Sequence, residues 1–228
     1  MRQLGQMKKS TKNSLFTYTL VIAAFVVVQA LRMGPGVGAM LEGQLIPICA
    51  YIVMALALNL VVGVSGELSL GHAGFMSIGA FAGSALALAL QSTVTLSPLR
   101  LALAMVFGAV IAAALGFLIG IPVLRLNGDY LAIVTLAFGE IIKNIFNILY
   151  VGVDAEGLHF SITNEAALHL GEGGISILQG PMGATANVKL STFTVGTVLV
   201  LVSLFVVLNL VHSRAGRAIM AMRDNRIA

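Results

Sequence analysis

The 228 residues are 58% hydrophobic and only 10% charged, with 25 glycines and no tryptophan. Soluble domains carry about 25% charged residues, so this composition excludes a soluble globular protein and is typical of a membrane protein. The net charge of +4 comes from basic residues that cluster beside apolar segments. That distribution excludes a nucleic-acid-binding surface.

Six segments are apolar and long enough, or nearly so, to cross a bilayer as a helix, which takes about 20 residues. They predict an all-α fold, a polytopic bundle of about six transmembrane helices. The third segment is short and rich in glycine, so a broken or re-entrant helix is an alternative to a plain span there. The segments are residues 15–31, 44–64, 75–90, 99–122, 130–150 and 193–211.

The distribution of Lys and Arg predicts that both ends of the chain are cytoplasmic (N-in/C-in). With an internal N-terminus and six crossings, nine of the 13 basic residues face the cytoplasm, as the positive-inside rule requires. The nine are Arg2, Lys8, Lys9, Lys12, Arg125, Arg214, Arg217, Arg223 and Arg226. The first span resembles a secretory signal, but the five spans that follow favour an uncleaved anchor. We therefore predict a cytoplasmic tail (1–14), a transmembrane domain (15–211) and a second cytoplasmic segment (212–228).

Residues 65–74, SGELSLGHAG, interrupt the apolar pattern between the second and third spans. Small residues surround Glu67 and His72 there. Irregular backbone at membrane depth is tolerated only against protein or a water-filled cavity, and such breaks mark transport sites. A short cytoplasmic turn whose Glu and His simply meet water explains the pattern equally well. For His72 a hydrogen-bonded structural role is favoured over a pH-sensitive one.

Small residues recur every four positions in the third and fourth spans. Ridges of this kind let helix backbones approach closely, so they predict a tightly packed bundle rather than a loose anchor. The ridges consist of Gly79, Gly83 and Ala87, and of Gly108, Ala112, Gly116 and Gly120. The single cysteine, Cys49, lies in an apolar run and is interpreted as a packing residue.

The fifth span carries a polar stripe. Its members are spaced i, i+3, i+4 and i+7 and therefore share one helical face; they are Glu140, Lys143, Asn144 and Asn147. Glu140 and Lys143 can pair, which offsets part of the cost of placing charge in the membrane. Three uses are open: a wall of a translocation path, polar contacts to a neighbouring helix, or a contact to a second subunit. At the start of this span, Asp129 complements the helix dipole.

Residues 151–192 form a polar connection that lies outside on this topology. It is far longer than the roughly 2–8 residues that usually join helices of a bundle, so we expect it to be structured or to meet a partner. A solvated cap over the helix ends is the equal alternative.

The C-terminal segment, HSRAGRAIMAMRDNRIA, alternates basic and apolar residues. This pattern predicts either a surface amphipathic helix or a simple basic anchor. No P-loop pattern G-x-x-x-x-G-K-[ST] occurs in the sequence, so the chain has no evident ATPase of its own. We expect no catalytic site, metal or cofactor in this chain.

Three motifs together resemble the permease subunits of ABC importers for branched-chain amino acids, a family that includes urea and short-amide permeases. The first motif is ALNLVVG (57–63) followed by LSLGHAGF (68–75). The second is LRLNGDYLAIVTLAFGEII (124–142), and the third is GRAIMAMRDN (216–225). Residues 180–183, GPMG, are a weaker match to a glycine-rich site in the outer loop.

The resemblance implies a permease of the bacterial cytoplasmic membrane that works with a second permease subunit, cytoplasmic ATPase subunits and an external solute-binding protein. It implies a candidate translocation path, for which we select Asn59, Glu67, His72, Glu140, Lys143 and Asn144. It also implies candidate ATPase-coupling residues in the C-terminal segment: Gly216, Arg217, Arg223 and Asp224.

Relative to the family, the sequence stops inside the coupling loop, so the resemblance implies a C-terminally truncated chain. Other functions stay open. A urea or short-amide permease would carry nearly the same motifs. A proton-coupled secondary transporter would use Glu140, Glu67 or His72, and a non-transporting membrane anchor would need none of these groups.

Overall fold

The computed structural model of the protein describes residues 2–33, 39–91, 93–123, 125–126, 128–154, 157–171, 174–183 and 190–224. Within these ranges the chain forms helices and one small sheet. The helices are α1 (Arg2–Met33), α2 (Ala39–Asn59), α3 (His72–Ala89), α4 (Ser97–Val123), α5 (Asp129–Ile148), α6 (Phe193–His212) and α7 (Arg214–Asp224). The strands are β1 (Tyr150–Val153), β2 (Leu158–Ser161) and β3 (Ile175–Gln179).

Among the described residues, six helical segments are long and apolar enough to cross a membrane. They are Ser14–Arg32, Gly43–Ser65, His72–Ala89, Ser97–Val123, Asp129–Ile148 and Phe193–His212. The prediction of a polytopic helical bundle is confirmed. The helix α1 also continues through the predicted cytoplasmic tail, because it begins at Arg2.

The third span is one continuous helix of 18 residues. The alternative of a broken or re-entrant third helix is therefore wrong, and the irregular backbone lies before it. A run rich in Ala and Leu favours the helix because these residues lose little side-chain freedom there. The break that was predicted at 65–74 occupies residues 60–71, as a π-helical turn over Leu60–Ser65 followed by non-helical backbone.

The chain divides into two compact units, residues 1–66 with 191–228 and residues 67–190. In the first unit, α2 packs along α6. Their shared core includes Leu45, Cys49, Phe193 and Val200, and the ring of Phe25 on α1 stacks on Phe193 at a centroid distance of 5.4 Å. Cys49 is therefore a packing residue, as its apolar surroundings predicted.

In the second unit, α3 and α4 make the closest helix pair, and the small residues predicted to form ridges lie between them. A Cβ atom added to Gly83 would lie 3.0 Å from the carbonyl oxygen of Ala104, and one added to Gly79 would lie 3.5 Å from that of Gly108. Gly79 faces Gly108, and Gly83 faces Ala104. The two helices are therefore antiparallel. The α4 ridge is shorter than predicted, because no described residue outside α4 comes within 4 Å of the equivalent position on Gly120.

The connection between α5 and α6 contains a three-stranded antiparallel sheet in the order β2-β1-β3. The all-α description overlooks this sheet, although helices dominate the chain. Val151, Ile177 and Leu178 are buried and form one cluster with Leu88 of α3. The sheet thus packs on the end of the second unit's helices, which confirms the expectation that the connection is structured rather than a solvated cap.

Candidate functional site

The last turn of the second span is π-helical. The turn Leu60–Ser65 ends at Gly66, whose φ of 73° is left-handed and whose N–H donates to the Val61 carbonyl. The Ser65 hydroxyl donates to the same carbonyl at 2.5 Å. Such π turns are rare and occur mostly at functional sites. Asn59 lies at the junction with α2, where its Oδ1 is 2.6 Å from the position that a Cβ on Gly63 would take.

Beyond this turn, in the second unit, the backbone docks on α5. The Leu70 N–H donates to Thr135 Oγ1 at 3.1 Å, and the Thr135 hydroxyl donates to the Ala132 carbonyl at 3.0 Å. A Cβ on Gly71 would lie 2.5 Å from the Thr135 carbonyl oxygen, and one on Gly74 would lie 3.2 Å from the Cα of Gly139. The close approach requires these small residues, and it fixes the non-helical backbone against a helix.

The two ionisable residues of the break are half-buried. His72 opens α3, and its Nδ1 lies within hydrogen-bond distance of the buried Ser69 Oγ, at 3.3 Å. Either tautomer permits this bond, with the hydroxyl as donor or as acceptor. Glu67 precedes Ser69 by two residues and also has an interaction partner.

The polar stripe of α5 lies on the opposite side from its buried face. Leu131, Ala132, Thr135 and Ile142 are buried. Lys143 Nζ and Glu140 Oε1 are 2.8 Å apart, so the predicted ion pair is present, yet the two side chains are 63% and 56% exposed. Asn144 is exposed as well. These side chains are largely exposed within the second unit, and all three uses predicted for the stripe stay open.

Asp129 is in the first turn of α5, where its charge complements the helix dipole. The N-cap position belongs to Gly128, and no side chain there accepts a capping hydrogen bond.

The C-terminal helix α7 turns back on the first unit. Gly216 is buried against the end of α6, where an added Cβ would lie 2.6 Å from the Val211 carbonyl oxygen. Arg217 Nη1 donates to the His212 carbonyl at 3.2 Å. Arg223 Nη1 donates to the Gly63 carbonyl at 2.9 Å. Of the candidate coupling residues, Gly216 and Arg217 hold the corner between α6 and α7, Arg223 meets the π turn, and the side chain of Asp224 lies outside the described residues.

Beside the three-stranded sheet, one carboxylate accepts hydrogen bonds from two loops. Asp154 accepts hydrogen bonds from the Gly157 and Gly171 N–H groups, each at 3.1 Å, and from His159 Nε2 at 3.0 Å. The weakly matched GPMG sequence forms a short turn over Gly180–Met182, and the Gly180 N–H donates to the Leu149 carbonyl at the end of α5.

A cavity of about 270 Å³ lies in the second unit between α3, α4, α5 and the sheet. Its lining is apolar and includes Ile78, Phe81, Ile111, Phe146 and Phe160. A site for a charged or zwitterionic solute needs a few placed polar groups. This cavity therefore does not provide a site for such a solute.

The structure thus brings residues 70–74 together with residues 135–142, and it brings Arg223 to the π turn. The stripe side chains remain on the exposed face of α5. The sequence analysis did not select Thr135, whose signal was the single aliphatic hydroxyl of α5. It also gave no indication that Gly63 accepts a hydrogen bond from Arg223.

Among the described residues, no group of three His, Cys, Asp or Glu side chains could hold a metal ion.

Comparison with known proteins gives a consistent result. The family described as branched-chain amino acid transport system, permease component, matches residues 40–228. The high-affinity branched-chain amino acid transport system permease protein LivM of Escherichia coli (strain K12) is 37% identical over 197 residues, covering 78% of this chain and 42% of LivM. LivM of Salmonella typhimurium is 36% identical over the same coverage. The chain spans less than half the length of these curated relatives, and no solved structure matches it.

Proposed function

The chain belongs to the branched-chain amino acid transport permease family, and from this premise we propose that it is a permease subunit of an ATP-driven importer for branched-chain amino acids. The observation that carries the proposal is the family match over residues 40–228, which includes every described element from α2 to α7. Both curated relatives are named for high-affinity branched-chain amino acid transport, which favours this solute class over urea and short amides.

In this proposal the chain has no catalytic site, and ATP is hydrolysed by separate cytoplasmic ATPase subunits. A second permease subunit completes the path and an external solute-binding protein delivers the solute. The membrane is the bacterial cytoplasmic membrane, with both described ends inside. Residues 1–14 and 212–228 are cytoplasmic and 15–211 form the transmembrane domain, as predicted from the sequence.

The candidate path residues have two kinds of support. The exposed Glu140–Lys143 pair and Asn144 face away from the packed side of α5, which suits a wall that meets water or another subunit. Asn59, Glu67 and His72 border an irregular stretch of backbone between two spans, and in transporters such breaks supply polar groups to the solute.

The test is transport by the complex that co-purifies with the chain, reconstituted in lipid vesicles with the solute-binding protein. We expect uptake of labelled leucine that requires hydrolysable ATP, persists with a protonophore and exceeds uptake of urea and acetamide. A non-hydrolysable ATP analogue is the matched control. Uptake that continues without ATP and collapses with the proton gradient would instead support a secondary transporter. Faster uptake of urea or acetamide than of leucine would contradict the proposed solute class. It would not contradict the ATP-driven mechanism.

A further inference from the structure

The π turn ends in backbone carbonyls that need partners from outside the turn. A helix has no partners within itself for its last carbonyl groups, and here the chain leaves the helical path at Gly66. The Gly63 carbonyl lies in this last turn, and Gly63 is exposed in the structure. Its partner is therefore either water or another part of the chain.

Arg223 supplies that partner from 160 residues further along the chain. Its Nη1 donates to the Gly63 carbonyl at 2.9 Å. Its Cγ and Cδ lie 2.6 and 2.8 Å from the position that a Cβ on Gly66 would occupy. The guanidinium therefore caps the turn while the aliphatic stem covers the glycine that ends it. A cation at a helix C-terminus is also favoured by the helix dipole.

The start of α7 packs on α6 as closely as its end packs on the π turn. Gly216 packs on the last carbonyls of α6, and Arg217 bonds to the His212 carbonyl. The corner between α6 and α7 is tightly packed. We therefore expect a displacement of α7 to move Arg223 relative to the π turn instead of only bending the chain at the corner.

We propose that Arg223 is a positioning residue that couples α7 to the π turn, so that a movement of α7 changes the backbone between Asn59 and Gly66. The inference deepens the proposed function, since it takes the ATPase as the agent that moves α7. The sequence analysis selected Arg223 as a candidate ATPase-coupling residue, and the structure adds its bond to the Gly63 carbonyl.

The first test concerns the chain alone in lipid nanodiscs and needs no transport. Arg223→Met keeps most of the stem over Gly66 and removes the donor. We expect amides in residues 60–67 to exchange with deuterium about tenfold faster, the change expected for loss of one charge-assisted hydrogen bond. Arg214→Ala, at the other end of the same helix, is the matched control and leaves this exchange unchanged. Arg223→Lys, which keeps a charged donor, restores part of the protection.

The second test uses the assembled transporter. With Arg223→Met we expect the ATPase to remain bound and to hydrolyse ATP while solute transport is lost. Unchanged exchange at residues 60–67 would overturn the inference, and so would loss of the ATPase from the complex, because Arg223 would then be a docking contact. Absence of ATP-driven transport in the unmodified complex would refute the proposed function instead, and the exchange result would still decide the role of Arg223.

Discussion

Thr135 Oγ1 accepts a hydrogen bond at 3.1 Å from the N–H of Leu70, which lies 65 residues earlier in the chain. The same hydroxyl donates to the Ala132 carbonyl at 3.0 Å. One side chain thus joins the non-helical backbone before α3 to the buried face of α5. This contact positions Glu67 and His72, which flank Leu70, against a fixed helix.

Replacing Thr135 by Val should loosen this contact. The substitution keeps the side-chain shape and removes the acceptor, so the Leu70 N–H is left unpaired in a partly buried position, which costs about 1–2 kcal/mol. We expect the free energy of unfolding, measured by detergent titration of the purified chain, to fall by this amount. Thr19→Val is the control, since the Thr19 hydroxyl is exposed and bonds only to the Leu15 carbonyl of its own helix. Equal losses in both variants would contradict a specific role for Thr135.

The break at residues 60–71 shows how much of the local structure could be predicted from the sequence. Small residues around Glu67 and His72 predicted irregular backbone, because glycine and serine interrupt helices locally. The docking of that backbone on Thr135 could not be predicted, because no local pattern encodes a contact between residues 65 positions apart. The break began earlier than predicted, at Leu60 rather than at residue 65, for a similar reason. The residues from Leu60 onward are apolar and read as ordinary helix, and their altered hydrogen bonding is completed by Arg223.

A second prediction concerns the closest approach of α3 and α4. A Cβ on Gly108 would overlap the carbonyl oxygen of Gly79 and lie 3.4 Å from the Gly83 nitrogen. Gly108→Ala should therefore push the helices apart and cost about 1–3 kcal/mol, as overpacking does. Gly120→Ala, in the same helix but in open space, should be neutral or stabilising by up to about 1 kcal/mol, because Ala is the better helix former. The comparison is made by thermal unfolding of both variants, and equal effects would refute the assigned packing.

The two glycines also show that residue spacing alone does not predict how far a helix contact extends. Gly108 and Gly120 fall on the same four-residue spacing, and spacing alone predicted one continuous ridge. The contact extends only as far as α3 provides a partner, because Phe75, near the start of that helix, already lies 3.6 Å from the Cβ position on Gly116. The length of a ridge depends on where the neighbouring helix begins. That position cannot be predicted from the sequence of the ridge itself.

A third prediction separates a role of the α5 stripe in transport from a purely structural one. Because Glu140 and Lys143 are more than half exposed and pair with each other, replacing both with Leu removes no described contact to another helix and leaves no unpaired charge. We expect wild-type levels of membrane insertion and folding for the double variant, with uptake lost in the reconstituted transporter. Lys143→Leu alone leaves the Glu140 carboxylate unpaired and should lower the yield of inserted protein. Unchanged uptake in the double variant would support a membrane anchor.

The three-stranded sheet was the main structural feature that the sequence did not predict. Its strands have four or five residues each, and segments this short give too few alternations to identify a strand. The long connection itself predicted structure, and that expectation was confirmed. The pairing of β1 with β3 could not be predicted, since it depends on Val151 and Leu178 sharing a core with α3.

The final prediction concerns Asp154, whose side chain is only 5% exposed. Its carboxylate accepts two backbone N–H groups and His159, so Asp154→Ala leaves these donors without their acceptor. We expect the loops around Gly157 and Gly171 to open more readily by about 2–3 kcal/mol, seen as roughly 100-fold faster amide exchange there with the helices unaffected. Glu165→Ala is the matched control, because Glu165 accepts only an exposed side-chain bond from Gln179 and such bonds contribute little. Equal exchange in the two variants would show that the sheet, and not Asp154, holds these loops in place.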